Sequence, residues 1–128
     1  MRIRAEISAG ELVDKLTILE IKLDIIRDPG KRSNLSREYG SLLRSFRRNL
    51  AHFEGLPSLR DDLRSVNREL WRVEDDIRDC ERSANFDGAF VALARSVYLS
   101  NDRRADLKRR INDLTQSEIV EEKSYAAY

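Results

Sequence analysis

Three groups of polar residues in this chain have types and spacings suited to chemistry. Asp14 and Lys15 sit inside the largely apolar run GELVDKLTILEIKLDII at residues 10–26. Asn67, Trp71, Glu74, Arg78 and Glu81 recur every three or four residues in VNRELWRVEDDIRDCE. Ser100, Asn101 and Arg104, with Lys108 one turn further on, interrupt a seam that the surrounding pattern keeps apolar. A charge placed in an apolar seam is costly unless paired, so Asp14 must meet a partner from another helix. Arg104, Asn101 and Asn67, with Lys108 at the rim, are the donors that would hold a phosphate- or carboxylate-bearing metabolite between helices. Cations positioned in that way can also stabilise an anionic transition state without any nucleophile. The competing reading is structural: a polar layer that fixes helix register at some cost in stability. Glu74 and Arg78 have the four-residue spacing of an ordinary intrahelical pair, and Glu11 and Lys15 have the same spacing.

Other chemistries have less to build on. Cys80 and His52 are the only residues of their kinds, so no zinc site and no internal disulfide can form. Glu11-x-x-Asp14 and Asp75, Asp76 and Asp79 offer oxygen ligands for magnesium, but their order and spacing do not reproduce those of helical pyrophosphohydrolases. No metal, no cofactor and no assigned catalytic residue follow from the sequence.

These side chains need long helices to hold them. The chain has 128 residues, 41% hydrophobic, 7% aromatic and 37% charged, with two prolines, which is the composition of one helical domain over residues 1–128 with narrow apolar stripes. Met1 to Ile7 alternates apolar and charged residues and reads as a short extended arm. Ser8 followed by Glu11 predicts a helix start with reciprocal capping bonds, and Asp28-Pro29-Gly30 predicts its end near Arg27. A second helix is expected from Ser33 or Asn34 to Phe53, and a third after Ser58 as N-cap with the seam Leu59, Leu63, Val66, Leu70, Val73, Ile77 and Cys80. The fourth, after the turn at residues 83–88, is expected to run about 30 residues, roughly 45 Å. A tail from Ser117 to Tyr128 completes the chain. The fold class is all-α: an antiparallel bundle of four helices, formed by two helical hairpins.

Helix one is the exception among them. Leu12, Leu16, Leu19, Leu23 and Ile26 gather on one line, while Ile18, Ile21 and Ile25 gather almost opposite. Either the helix lies at the centre of the bundle, with the arm or the tail covering its second face, or Ile18, Ile21 and Ile25 form an interface with another chain.

The stretches ISAGELVDKLTILEIK, VNRELWRVEDDIRDCE, NDRR, LKRRIN and IVEEKSY resemble the bacterial family called domain of unknown function 6165, over about residues 7–125. The resemblance implies a small helical protein without an assigned activity, linked to surface-polysaccharide or glycosyltransferase systems, and transfers no catalytic residue.

The basic and acidic residues, 24 and 23, nearly cancel, which argues against nucleic-acid and membrane-surface partners. The cluster Arg103, Arg104, Lys108, Arg109 and Arg110 is diluted by Asp102, Asp106 and Asp113. No segment has the length of a signal peptide core or a membrane span, so a cytoplasmic location is expected. The leading expectation is a non-enzymatic binding or adaptor module with a protein partner or a second copy of itself. The alternative is a small helical enzyme or binder of an anionic metabolite at the polar layer.

Overall fold

A computed structural model of the chain describes residues 1–128 and is an all-helical bundle: α1 (Ala9–Ile25), α2 (Pro29–Asn49), α3 (Leu56–Arg82) and α4 (Gly88–Thr115). α1 starts where Ser8 Oγ accepts the Glu11 N–H at 3.0 Å. The reciprocal bond expected from Glu11 does not form, because Lys108 of α4 holds its carboxylate at 2.6 Å. At the other end Arg32 donates to the carbonyls of Leu23 and Ile26, at 2.5 and 2.9 Å, and so caps α1 from outside.

α2 begins at Pro29, ahead of the expected Ser33 or Asn34. Asp28 accepts the Lys31 N–H at 2.9 Å, and proline in the first turn gives up only an amide that would have no helical acceptor. α3 likewise starts before Ser58: Gly55, at φ 82°, turns the chain into Leu56 and Pro57. Asp87 caps α4 by accepting the Ala89 N–H at 3.0 Å.

α1 packs against all three other helices, α3 and α4 pair along their lengths, and the backbone of α2 comes close to α1 alone. Leu12 and Val13 of α1 join Leu56, Leu59, Leu63 and Val66 of α3, Leu107 and Ile111 of α4, and Leu50 in one core cluster. Each such burial is worth roughly 1.5–3 kcal/mol relative to exposure. Both apolar sides of α1 are covered in its middle turns, at Leu16 on one side, 0% exposed, and at Ile21 on the other, 1% exposed. This corrects the assignment of Ile21 to an interface between chains: with neighbours on several sides, its face is covered from within. Ile18 is half-buried and Ile25 is 43% exposed at the end of the helix.

α1, at 17 residues, is about 26 Å long, whereas the 27 residues of α3 extend about 40 Å. The α3–α4 hairpin therefore outruns its cover, and no residue between Glu74 and Leu99 is fully buried. Cys80 lies in this projecting part, half-buried. No helix is long and apolar enough to cross a membrane.

The tail runs back along α4. Lys123 reaches Asp102 at 2.5 Å, the Tyr128 hydroxyl donates to the same carboxylate, and the rings of Tyr98 and Tyr128 lie 5.3 Å apart. Its first part closes the start of α1. The Ala9 N–H donates to Ser117 Oγ at 3.2 Å and the Gly10 N–H to Asn112 Oδ1 at 2.7 Å, while Ser8 Oγ donates to Glu121 at 2.6 Å. The amides at the positive end of α1 thus find acceptors mostly from more than 100 residues away. Gly10 permits the approach: a Cβ there would stand 2.5 Å from the Lys108 carbonyl oxygen and 3.0 Å from Asn112 Oδ1.

Candidate functional site

Asp14 faces inward from the second turn of α1 and is 1% exposed. Arg104 of α4 meets it with two nitrogens, Nε at 3.0 Å from Oδ1 and a terminal nitrogen on Oδ2. From α3, Asn67 Nδ2 donates to Asp14 Oδ1 and to Thr17 Oγ1, both at 2.9 Å, and the Thr17 hydroxyl donates to the Asp14 carbonyl at 2.8 Å. Three helices are therefore joined at a polar layer whose buried carboxylate is neutralised by a forked guanidinium, the geometry in which an internal ion pair is stable. The hydrogen bond to Asp14 holds the Arg104 guanidinium above its ordinary range, against burial and with the charges of Asp14 and Glu11 adding to the effect.

Above this layer lies a groove of about 530 Å³. Asn67, Trp71, Glu74, Arg78, Asn101 and Arg104 line it, together with Ile18, Ile21, Leu70 and Asp75. Six of the polar residues singled out in the sequence thus meet at one place. Trp71 is half-buried at its edge, in keeping with an apolar ring that carries one polar N–H. Arg78 is occupied by Glu74, donating to its carbonyl at 3.1 Å and to its carboxylate, so the intrahelical pair is formed.

The remaining expected residues lie elsewhere. Asp14 is beneath the groove, with its oxygens turned to Arg104 and Asn67. Lys15 is half exposed and pairs with Glu11 at 3.7 Å. Lys108 faces the space under the tail, 2.6 Å from Glu11 and 3.9 Å from Asp14. Glu11 and Asp14 are thereby both committed to cations, and no group of three or more His, Cys, Asp or Glu side chains is arranged to hold a metal ion.

Sequence reasoning missed two constellations. Glu20 of α1 receives Arg60 and, at 2.7 Å from its Nε, Arg64 of α3, with the Tyr39 hydroxyl of α2 at 3.3 Å. Arg60 also stacks 4.9 Å above the Phe46 ring, so this cluster ties α2 to the hairpin. Glu20 is one of the charges that interrupt the apolar run at residues 10–26, but nothing in the spacing of α3 singles out Arg60 and Arg64. The second is the tail at the α1 start. Burial pushes the Glu121 carboxyl upward, but the Ser8 hydroxyl, its own backbone N–H, Asn112 and the charge of Lys108 together hold it below the usual glutamate range. A serine and a glycine flanking a helix start were the available signal for it.

No curated protein and no solved structure gives a match to the chain. The segments that meet at the polar layer and at the α1 start are those that carried the family resemblance, and the match to that family extends over residues 3–128: the chain belongs to the family of unknown function DUF6165.

Proposed function

We propose that the protein is a non-enzymatic helical binding module, an adaptor that takes a segment of another protein in the Trp71 groove. One observation carries this reading: the groove is open and floored by Ile18, Leu70 and Trp71, while the charges beneath it are already matched to one another. Arg104 and Asn67, the donors an anionic metabolite would need, are spent on Asp14, so such a ligand would have to displace a buried carboxylate. At the rim, Glu74 is answered by Arg78, whereas Asp75 forms no ion pair within the chain. The segment that fits has an aliphatic or aromatic anchor for the groove and a basic residue beside it for Asp75. A partner from a surface-polysaccharide or glycosyltransferase system, implied by the resemblance, belongs to this proposal.

The test selects peptides from a displayed random library on the full chain and measures them by the emission of Trp71, the only tryptophan. Selected peptides with the apolar and basic pattern should shift that emission and lose at least tenfold in affinity for Ile18→Glu. Peptides that bind Ile18→Glu as tightly as the wild type would remove the groove from the proposal. A thermal-shift panel of phosphorylated metabolites and nucleotide sugars provides the contrary outcome: stabilisation that disappears in Arg104→Ala would replace the adaptor by a metabolite binder.

A further inference from the structure

The near balance of charge over the whole chain conceals a segregation. α2 carries Lys31, Arg32, Arg37, Arg44, Arg47 and Arg48 against a single acid, Glu38, so with a net charge of +1 the rest of the molecule is acidic overall. Between α2 and the N-terminal arm lies a groove of about 1,220 Å³, larger than the Trp71 groove and separate from it. Arg37, Arg44 and Arg48 stand on its helical wall and Arg2 and Arg4 on the arm, and Glu38 is the one acid among its lining residues. All five arginines are exposed, and none forms an ion pair within the chain. Elsewhere the arginines of α3 and α4 are largely matched by acids, as Arg103 is by Glu69 and Arg109 by Glu122 and Asp113. Like charges facing one another across a concave space repel, and the arrangement is stabilised by an anion lying between them.

We propose that the groove between the arm and α2 binds a linear phosphodiester polymer, in its simplest form a single-stranded nucleic acid. Extent decides between a polymer and a small phosphate. Arg37 and Arg48 are eleven residues apart on one helix, about 16 Å along its axis, so a single phosphate or pyrophosphate reaches only part of the set. Shape decides between a strand and a membrane. Guanidinia on two facing walls suit a chain laid between them, and Leu35, Leu42, Leu43 and Phe46 of α2 are half-buried rather than turned out for insertion into lipid. At one end of the groove His52 lies against Phe53, ring centroids 4.3 Å apart, and the exposed imidazole offers a face on which a base can stack. This inference does not depend on the Trp71 groove.

The experiment is fluorescence anisotropy of a labelled oligothymidylate with the full chain, across a salt series. Binding should weaken with salt on a log–log slope of about −2 to −3.5, the value for three to five phosphate contacts on a single strand, and Arg44→Ala should reduce that slope by about 0.7. Arg37→Glu/Arg44→Glu/Arg48→Glu, with helicity checked by circular dichroism, should abolish binding, whereas Arg103→Ala and Arg109→Ala should leave it within twofold. Three results overturn the proposal: no binding at 100 μM protein in about 50 mM salt, binding unchanged in the triple variant, or equal affinity for tripolyphosphate. Vesicles of phosphatidylserine and phosphatidylcholine test the competing surface, since Ile3 of the arm is 85% exposed. Binding to them without binding to the oligonucleotide would assign the groove to lipid instead.

Discussion

Replacing Asp14 by asparagine keeps the side-chain shape and removes the charge at the centre of the polar layer. Arg104 then has lost its counter-ion, and one of its donors or that of Asn67 faces an amide N–H in place of an oxygen. Breaking a buried ion pair typically costs about 3–5 kcal/mol. Arg104 keeps 30% of its side chain in contact with solvent, so water can screen part of the orphaned charge, and the lower end, about 3 kcal/mol, applies. The asparagine oxygen still accepts one hydrogen bond, which returns about 1 kcal/mol, and the mispaired amide removes a similar amount. For a chain of this length a loss of about 3 kcal/mol lowers Tm by about 10 °C. Urea denaturation and calorimetry measure both quantities. A double variant, Asp14→Leu with Arg104→Met, should be less destabilised than the sum of its single variants, because each single variant strands the partner's charge and the double variant strands none. A Tm for Asp14→Asn within about 2 °C of the wild type, less than 1 kcal/mol at this size, would refute the claim that the layer is an internal desolvated pair.

Gly10→Ala should destabilise the protein by about 1–3 kcal/mol in urea titration, although alanine is the better helix former, because its Cβ would meet the Lys108 carbonyl at 2.5 Å. Glu20→Ala should cost about 2–3 kcal/mol, since Arg60 and Arg64, with side chains 18% and 33% exposed, both lose their carboxylate; hydrogen exchange should speed up in α2 more than in α4. The Glu121 carboxyl is held below its unfolded value, so its contribution is present above the ordinary glutamate pKa of about 4.3 and is lost as pH falls through the lower folded value. Wild type should therefore exceed Glu121→Gln in Tm at pH 7, and the gap should narrow below pH 4, as followed by circular dichroism.

Much of the bundle was legible because its periodicities are strong. The two-sided pattern of α1 pointed to a central helix, and the polar interruption at Asn101 and Arg104 pointed to a layer that Asn67 and Asp14 complete. Helix starts were less legible where proline takes part: Asp28-Pro29 and Gly55-Leu56-Pro57 each read as breaks, yet each opens a helix. Ile21 shows a limit of pattern reading, for an apolar face says that something covers it and not which chain supplies the cover. The Glu20 cluster and the contacts of Ser8 with Glu121 rest on long-range pairing, for which spacing within one helix holds no signal. The cationic groove was hidden by a sum: total charge is nearly zero because an acidic remainder balances α2.

The acceptors that close the start of α1 have a bearing on how the chain is made. α1 leaves the ribosome ahead of the other three helices, yet Asn112, Ser117 and Glu121 follow their partners at its start by more than 100 residues. Until they emerge, the Ala9 and Gly10 amides and the proton of the Ser8 hydroxyl can bond only to water. The α3–α4 hairpin, whose contacts are nearer in sequence than those between α1 and α4, is expected to form ahead of the docking of α1 onto α4. A nascent chain stalled before Asn112 should leave that helix frayed and open to proteases, with its two greasy sides available to chaperones.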